Sequence, residues 1–595
     1  MVAATVAAAP VVVVAAAAAA ITTTTISPAF MPEGASHCDA PPTVLRTTPD
    51  HQEAMSIMSI ANRLHTYLYR PVSIVPLVLF RVAFGAIMIW EVWRYFHYDR
   101  VERYYMRPLT FFPYRGFEWL APLPGDGMTW LFYGLALLSA CIMVGLFYRA
   151  SAILFFLTFT YIFLLDQAQY LNHFYLISLV SFILIFISPH RAYAVDAWLG
   201  LAQRSTFVPA WSLNWLRFQI AVPYIYGGIA KLNSDWLQGQ PMGMWLAART
   251  DFPIIGRWFT ADWAGQAFSY GGLLLDLLFV PLVLWHRTRW LAMVAVTVFH
   301  FTNARLFNIG IFPWMMLAAT VVFLPEAWFR RQTAPPIDRR HRLPRVLLGG
   351  LALYIVLQLL MPLRHLAYPS DPSWSEAGHM FAWHMRLRSK DADTRFFAYT
   401  TESGRFWEVD ATPYLTPRQH QQMADHPEMI RHFARFLGDD LQNTYGEPVA
   451  VYAWAMVSLN GRPPQLMVDP SVDLTQSALT WGENDWVLPL YQRNIGHPSE
   501  PPLLLLYRED YTAAINIGDD YVAAVDYLLA PGECVLWARP EANVPVLPCN
   551  ALASLVTASP PTLTGDDLAC VGGGATCVAG SAHLSTTLTW HDTQR

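Results

Sequence analysis

Residues 227–236 read GGIAKLNSDW. They close an apolar run, 214–233, and put a lysine at its end with no acid beside it until Asp235. If that run crosses a bilayer, the chain has nine spans; if it and the equally weak run 288–303 are buried without crossing, the chain has seven. Working outward, runs of about 17–25 apolar residues, the length needed to cross a hydrocarbon core, fall at 73–95, 127–147, 149–166, 173–189, 214–233, 268–286, 288–303, 308–325 and 344–364.

Composition agrees with a membrane protein. Of 595 residues, 54% are hydrophobic and only 14% charged, where a soluble domain carries about 25% charged residues. The 23 Trp, 27 Tyr and 43 Pro exceed what a string of leucine-rich helices needs and point to interfacial belts and a sizeable part outside the membrane. The net charge of −5 suggests no nucleic-acid partner. The expected fold is a polytopic α-helical membrane protein of about nine transmembrane helices, followed by a mixed α+β or mostly β extramembrane domain.

Four regions are expected. Residues 1–54 form a low-complexity tail, with Met55 or Met58 as alternative starts; 66–365 hold the helices; 366–540 form the extramembrane domain; 541–595 form a poorly ordered tail. In the extramembrane part, EMIRHFARFLGDDLQNTY (428–445) has helical spacing at Ile430, Phe433, Phe436 and Leu437. EPVAVYAWAMVSLNGRPPQLMVD (447–469) reads as two strands about an Asn460-Gly461 turn. PPLLLLYR (501–508) and YVAAVDYLLAPGECVLW (521–537) read as further strands.

Basic residues set the expected orientation. Arg149, Arg191, Arg204, Arg287, Arg289 and the cluster 330–342 fall on one side, and the connection 167–172 has none. The N-terminus is expected in the cytoplasm and the C-terminal domain on the lumenal, periplasmic or extracellular side. Loop 96–126, with four arginines, disagrees, and is expected to pack on the membrane surface or re-enter. Cys534, Cys549, Cys570 and Cys577 cluster near the C-terminus, with three possible pairings and no metal-binding spacing.

Ionisable groups inside spans are costly and are functional candidates by default. Lys231 reads either as a snorkelling side chain or as a desolvated amine able to act as a base, with Gly227 and Gly228 leaving room for a flat ligand or a neighbouring helix. His173 reads as a core histidine or as a neutral imidazole, oriented by Asn172, that meets a polar ligand. His300 and Asn303 share a helix face, and Arg305 lies on another, where it would attract an anion. Asp276, mid-span, is expected to pair inside the bundle, with Arg305 or His300 as partner. No P-loop, dinucleotide fingerprint, zinc-protease motif or nucleophile elbow is present.

Six segments, in order, resemble the vitamin K-dependent γ-glutamyl carboxylase family, including its bacterial relatives with the HTTM domain: YLNHFYL (170–176), GGIAKLNSDWLQGQPM (227–242), GGLLLDL (271–277), FHFTNARLFNIGIFPWMMLA (299–318), FAWHMRLRSK (381–390) and VSLNGRPPQLMVDPSVDL (457–474). The resemblance covers about 66–530. It implies a carbon–carbon lyase-class carboxylase and epoxidase that uses vitamin K hydroquinone, or a related reduced menaquinone, with O2 and CO2 as co-substrates and no metal. It implies membrane lipid and a glutamyl-containing protein or peptide as partners.

By that resemblance Lys231 is the base that deprotonates the hydroquinone, and His173 stabilises the reacting quinone or carbanion. Gly227, Gly228, His300 and Asn303 line the cofactor site; Trp383, Met385, Arg388 and Arg305 face the substrate. The chain departs from the vertebrate pattern at Ala230, the first of a lysine pair; at Asn233, an aspartate there; and at Arg388, a histidine there. Two other readings are a quinol epoxidase with no carboxylated protein product, and a non-catalytic membrane protein that binds or transports a lipid or quinone.

Overall fold

The computed structural model describes residues 63–490, apart from 64, 308, 330–343, 463, 471 and 479–483, together with five short strand segments beyond 490. The expected N-terminal tail lies outside the described residues, as does most of the expected C-terminal one apart from the strand segments Val546–Pro548 and Ala569–Val571, and so do the side chains of the C-terminal cysteines and of Asn308. Two of the later segments, Leu504–Tyr507 and Glu533–Trp537, lie within the runs read as strands.

Each of the nine apolar runs contains a helix. They are α1 (Val75–His97), α2 (Gly127–Val144), α3 (Tyr148–Leu164), α4 (Asn172–Phe186), α5 (Ala210–Ala230), α6 (Asp262–Leu284), α7 (Arg289–Leu306), α8 (Phe312–Thr320) and α9 (Arg345–Leu360). Among the described residues, four helical stretches are long and apolar enough to cross a membrane: α1, α2, α6 and Val346–Ala367, which extends α9. The helices α3 and α4, and Phe312–Phe323 at α8, are apolar but shorter. Nine crossings are therefore not established. The two runs in neither group are α5 and α7, the ones that sequence marks as weakest. The reason is polar side chains: Asn214, Arg217 and Gln219 on α5, and Thr302, Asn303 and Arg305 on α7.

Neighbouring helices in sequence pack on each other, α1 on α2, α2 on α3, α3 on α4 and α6 on α7. The pair α5 and α6 is also close, because Gly228 has no side chain: a Cβ there would stand 2.7 Å from Leu277 Cδ2. At one end of the bundle, Pro71–Ser73 pairs antiparallel with Phe207–Pro209 and ties α1 to α5.

The extramembrane domain holds a four-stranded antiparallel sheet. Its strands are β1 (Lys390–Thr400), β2 (Phe406–Val409), β3 (Val449–Leu459) and β4 (Gln465–Leu466), in the order β2-β1-β3-β4. β1 and β3 pair along their whole length, from Lys390 opposite Leu459 to Thr400 opposite Val449. The expected hairpin forms: Asn460 and Gly461 both have positive φ, 53° and 81°, and Arg462 N–H donates to the Leu459 carbonyl at 3.1 Å. That combination is the tight turn whose twist matches its strands.

Besides the short helix Pro372–Ser375, the described part of the domain holds the helices α10 (Pro417–Met423) and α11 (Pro427–Tyr445). α11 buries Ile430, Phe433, Ala434, Leu437 and Leu441, one stripe at helical spacing. It starts on Pro427 and stops at Gly446, whose φ of 75° suits glycine. The stripe packs against Phe396, Val451 and Ala453 of the sheet.

Loop 96–126 meets the extramembrane domain. Phe112, in its middle, is part of the extramembrane core. Asp166 accepts from Phe112 N–H at 3.3 Å and from Gln419 Nε2 at 3.1 Å, and Gln419 also donates to the Thr110 carbonyl at 2.9 Å. The loop is a seat for α10, so its placement follows from docking the extramembrane domain.

Candidate functional site

A cavity of about 860 Å³ opens where α1, α4, α5, α6, α7 and α8 meet segment 379–388 and α10. Its walls are largely aromatic and aliphatic, among them Phe299, Phe307, Phe312, Met316 and Met385. The polar groups set into them come from separate helices.

Lys231 caps the C-terminus of α5, and its side chain turns inward rather than snorkelling: the residue is 6% exposed. Its Nζ donates to the Gly227 carbonyl at 3.1 Å and to Asp276 Oδ2 at 2.7 Å. The Trp236 ring lies beneath the amine, 5.4 Å from Nζ to the centroid. The partner of Asp276 is thus Lys231, and neither Arg305 nor His300. The amine with no acid next to it in sequence acquires one from α6, 45 residues on.

His173, at the start of α4, lines the same cavity and sits against the Phe174 and Phe312 rings. Asn172 does not orient it. That amide donates to the His384 carbonyl at 3.3 Å and accepts from Tyr170 Oη at 3.1 Å. His300 and Asn303 both reach the cavity, as their shared face predicts. His300 Nε2 is 2.8 Å from Tyr224 Oη, and its Nδ1 is buried with no hydrogen-bond partner among the described residues.

Other expected site residues fall elsewhere. Arg305 is exposed and outside the cavity wall, and its carbonyl accepts from Arg249. It points away because it is two positions past Asn303, roughly 200° around the helix. Trp383 is fully buried behind the wall, with its ring 4.9 Å from Tyr175. Gly227 and Gly228 serve backbone approach and leave no opening for a ligand: a Cβ at 227 would meet Met385 Cε at 3.1 Å, and Gly228 abuts Leu277. Met385 and Arg388 do line the cavity.

Sequence reasoning passed over three groups. Glu91 and Arg94 form an ion pair of 2.6 Å inside α1, on the cavity wall; ionisable residues three apart within an apolar run were the available signal. Arg100 and Arg418 line the end nearest α10. A buried cluster centres on Glu376, which pairs with Arg388, with Lys390 at 2.6 Å, and with the rings of His379 and His426 at 3.5 and 3.7 Å. Nothing local in the sequence marks it, since its members span 376–426.

Electrostatics in that cluster are strong. Burial alone would raise the Glu376 carboxyl, but the Arg388 and Lys390 cations hold it well below the usual carboxylate range. Burial, with Arg388 nearby, pushes His379 well below its ordinary value, and burial next to His365 takes His384 down to about 3. These imidazoles are neutral hydrogen-bonding groups at neutral pH.

Residues 69–328 match the HTTM domain family. Residues 343–493 match the family described as vitamin K-dependent gamma-carboxylase, lumenal domain. The chain belongs to the gamma-glutamyl carboxylase family. Its helices and its sheet domain therefore correspond to a membrane protein of carboxylase type with a lumenal C-terminal region. No solved structure matches it. The family boundary falls between Trp328, in the last turn of the first match, and α9, so α9 goes with the second match although it is apolar enough to span.

Proposed function

We propose that this protein oxidises a reduced quinone of the vitamin K type with O2, and couples that oxidation to CO2 addition at the γ-carbon of a glutamyl side chain. The observation that carries the reading is the convergence of Lys231 and His173 on one largely apolar cavity shared by the helices and the extramembrane domain.

The residues fit a flat, lipid-soluble ligand. The cavity lies within the ordinary range for small-molecule sites, roughly 300–1,000 Å³. Aromatic rings line it, and the buried Nδ1 of His300 has no hydrogen-bond partner among the described residues. When bound, the reduced quinone supplies with O2 a base strong enough for a glutamyl γ-proton, which no free amine is, and leaves as the epoxide.

The protein's share is to hold, shield and move protons. Lys231 Nζ, in its amine form, takes up a ligand hydroxyl proton, and Asp276 Oδ2 at 2.7 Å stabilises the ammonium that forms. The His173 ring, with no hydrogen bond to any described residue, is left to meet the ligand's oxygen. His300, Asn303 and Met385 complete the wall. Apolar side chains keep water from quenching the base. Arg100, Arg388 and Arg418 make the end facing the extramembrane domain cationic, and suit it to a substrate carboxylate.

The same reading puts the N-terminus in the cytoplasm and the sheet domain on the lumenal, periplasmic or extracellular side. The arginines at 149, 191, 204, 287 and 289 on one side support it. So does the seat that loop 96–126 makes for the sheet domain on the other. The catalytic helices occupy 66–365 and the substrate-facing domain 366–540.

A second reading, quinol epoxidation with no carboxylated protein, is favoured by one observation. Arg388, which replaces a histidine tied to glutamate binding in vertebrate relatives, is already paired with Glu376.

The test is epoxide formation from reduced vitamin K in membranes holding the protein, beside a Lys231→Ala variant, with labelled CO2 and a glutamyl peptide in the same tube. Epoxide that disappears with the lysine supports the oxidation, and label in the peptide separates the first reading from the second. Equal background in both proteins overturns both.

A further inference from the structure

Four residues beyond Lys231 stands Asp235, outside the cavity wall and facing the extramembrane domain. Arg462, from the β3–β4 turn, grips it with two parallel bonds, Nη1 to Oδ2 at 2.7 Å and Nη2 to Oδ1 at 2.8 Å. Asn460 Nδ2 adds a third, to Oδ2, at 2.7 Å. Both partners are buried: Asn460 is 2% and Arg462 5% exposed. Burial would raise the Asp235 carboxyl, but the Arg462 and Asn460 bonds outweigh it and hold it below its usual range.

The turn also grips a second wall. Asn460 Oδ1 accepts from Ser389 N–H at 2.8 Å, and Asn460 N–H donates to the Ser389 carbonyl at 2.8 Å. Ser389 lies between Arg388, on the cavity, and Lys390, on Glu376. On the other side, Asp235 is rigidly joined to the lysine. Asn233 caps Trp236 N–H at 2.9 Å and donates to the Ala230 carbonyl at 2.9 Å, and the Trp236 ring underlies Lys231.

We infer that Asp235, Asn460 and Arg462 form a latch that holds the Lys231 wall and the Arg388 wall of the cavity in register, and so couples oxidation of the quinone to reaction of the carboxylate substrate. The inference rests on the proposed role of Lys231. These three are positioning residues: none lines the cavity. The latch is an efficient coupler because a bidentate arginine–carboxylate pair fixes distance and angle together. Lys231 keeps its own bonds to Asp276 and Gly227 without the latch, so quinone oxidation survives its loss while the second wall drifts. Drift of about 1 Å between reacting groups costs up to about a hundredfold in rate.

The experiment uses the full chain in membranes, as wild type, Asp235→Asn, Arg462→Lys and the exchanged pair Asp235→Arg with Arg462→Asp. Epoxide from reduced vitamin K and labelled CO2 in a glutamyl peptide are counted together, and backbone hydrogen exchange is followed in detergent. In the single variants, CO2 fixed per epoxide falls about fivefold or more while epoxide formation stays within about twofold. Exchange rises in 386–390, a segment Asp235 does not touch, as well as in 233–240, and the exchanged pair recovers part of both. Unchanged CO2 per epoxide, with faster exchange confined to 233–240, overturns the latch. Should wild type form no epoxide, the functional reading fails, and exchange at 386–390 alone decides the latch: faster in Asp235→Asn supports it, unchanged overturns it.

Discussion

Lys231 Nζ lies 2.7 Å from Asp276 Oδ2, with both side chains buried, 7% and 6% exposed. The pair joins the end of α5 to the middle of α6, on the wall of the cavity. A buried pair of this kind is seldom the best way to gain stability, because desolvation of two charges offsets their attraction. Its presence on the cavity wall fits a chemical task.

Removing one partner leaves a buried charge alone. Asp276→Ala is expected to destabilise the protein by about 3–5 kcal/mol, while Lys231→Met with Asp276→Leu recovers most of that loss. Thermal unfolding in detergent of the single and double variants checks this. Both are expected to form no epoxide, which separates the chemistry from the fold.

His173 has no hydrogen bond to lose among the described residues, although its ring is packed against Phe174 and Phe312. His173→Gln should therefore keep the melting temperature nearly unchanged and lower epoxide formation by about 10²–10⁴-fold. Wild-type epoxide rates in a folded His173→Gln protein would remove it from the reaction.

Glu376 sets an acid limit on the extramembrane domain. Its folded carboxyl is held below its ordinary value of 4.5, against the effect of burial, by Arg388 and Lys390. For an acid lowered on folding, the stabilisation is complete above the unfolded pKa and is lost as pH falls through the folded one. Stability is expected to drop as pH goes below about 4.5, and Glu376→Gln should be less stable at pH 7 but flatter in acid. Denaturation midpoints at pH 7 and pH 3.5 for both proteins test the sign; a parallel fall in the two contradicts it.

Gly228 is needed for the closeness of α5 and α6. Gly228→Ala would put a methyl 2.7 Å from Leu277 Cδ2 and 3.1 Å from the Leu277 nitrogen, at a cost of about 1–3 kcal/mol. Gly134→Ala, with nothing within 4 Å of the added carbon, is the matched control and should be neutral or slightly stabilising. Comparable losses in both would show that packing against Leu277 is not the cause.

Much of this protein is legible in one dimension. Runs of apolar residues locate nine helices among the described residues, and the stripe at 430, 433 and 437 locates α11. The dipeptide Asn460-Gly461 announces the hairpin, because both residues accept positive φ. His300 and Asn303 are legible as a shared face for the same local reason, and the face of Arg305, read as separate, is indeed turned away. Each of these follows from forces between residues close in the chain.

What only the tertiary structure decides is which distant groups meet. Asp276 could have paired with any cation in the bundle, and the fold selects Lys231 by laying α5 on α6 through Gly228. Loop 96–126 seats α10 through Thr110, whose carbonyl meets Gln419, 309 residues on. Asp235, the first acid after Lys231 in sequence, reaches Arg462, 227 residues on. Sequence spacing carries local periodicity and turn chemistry; long-range pairing depends on how the helices and the sheet dock, and no short-range signal encodes that.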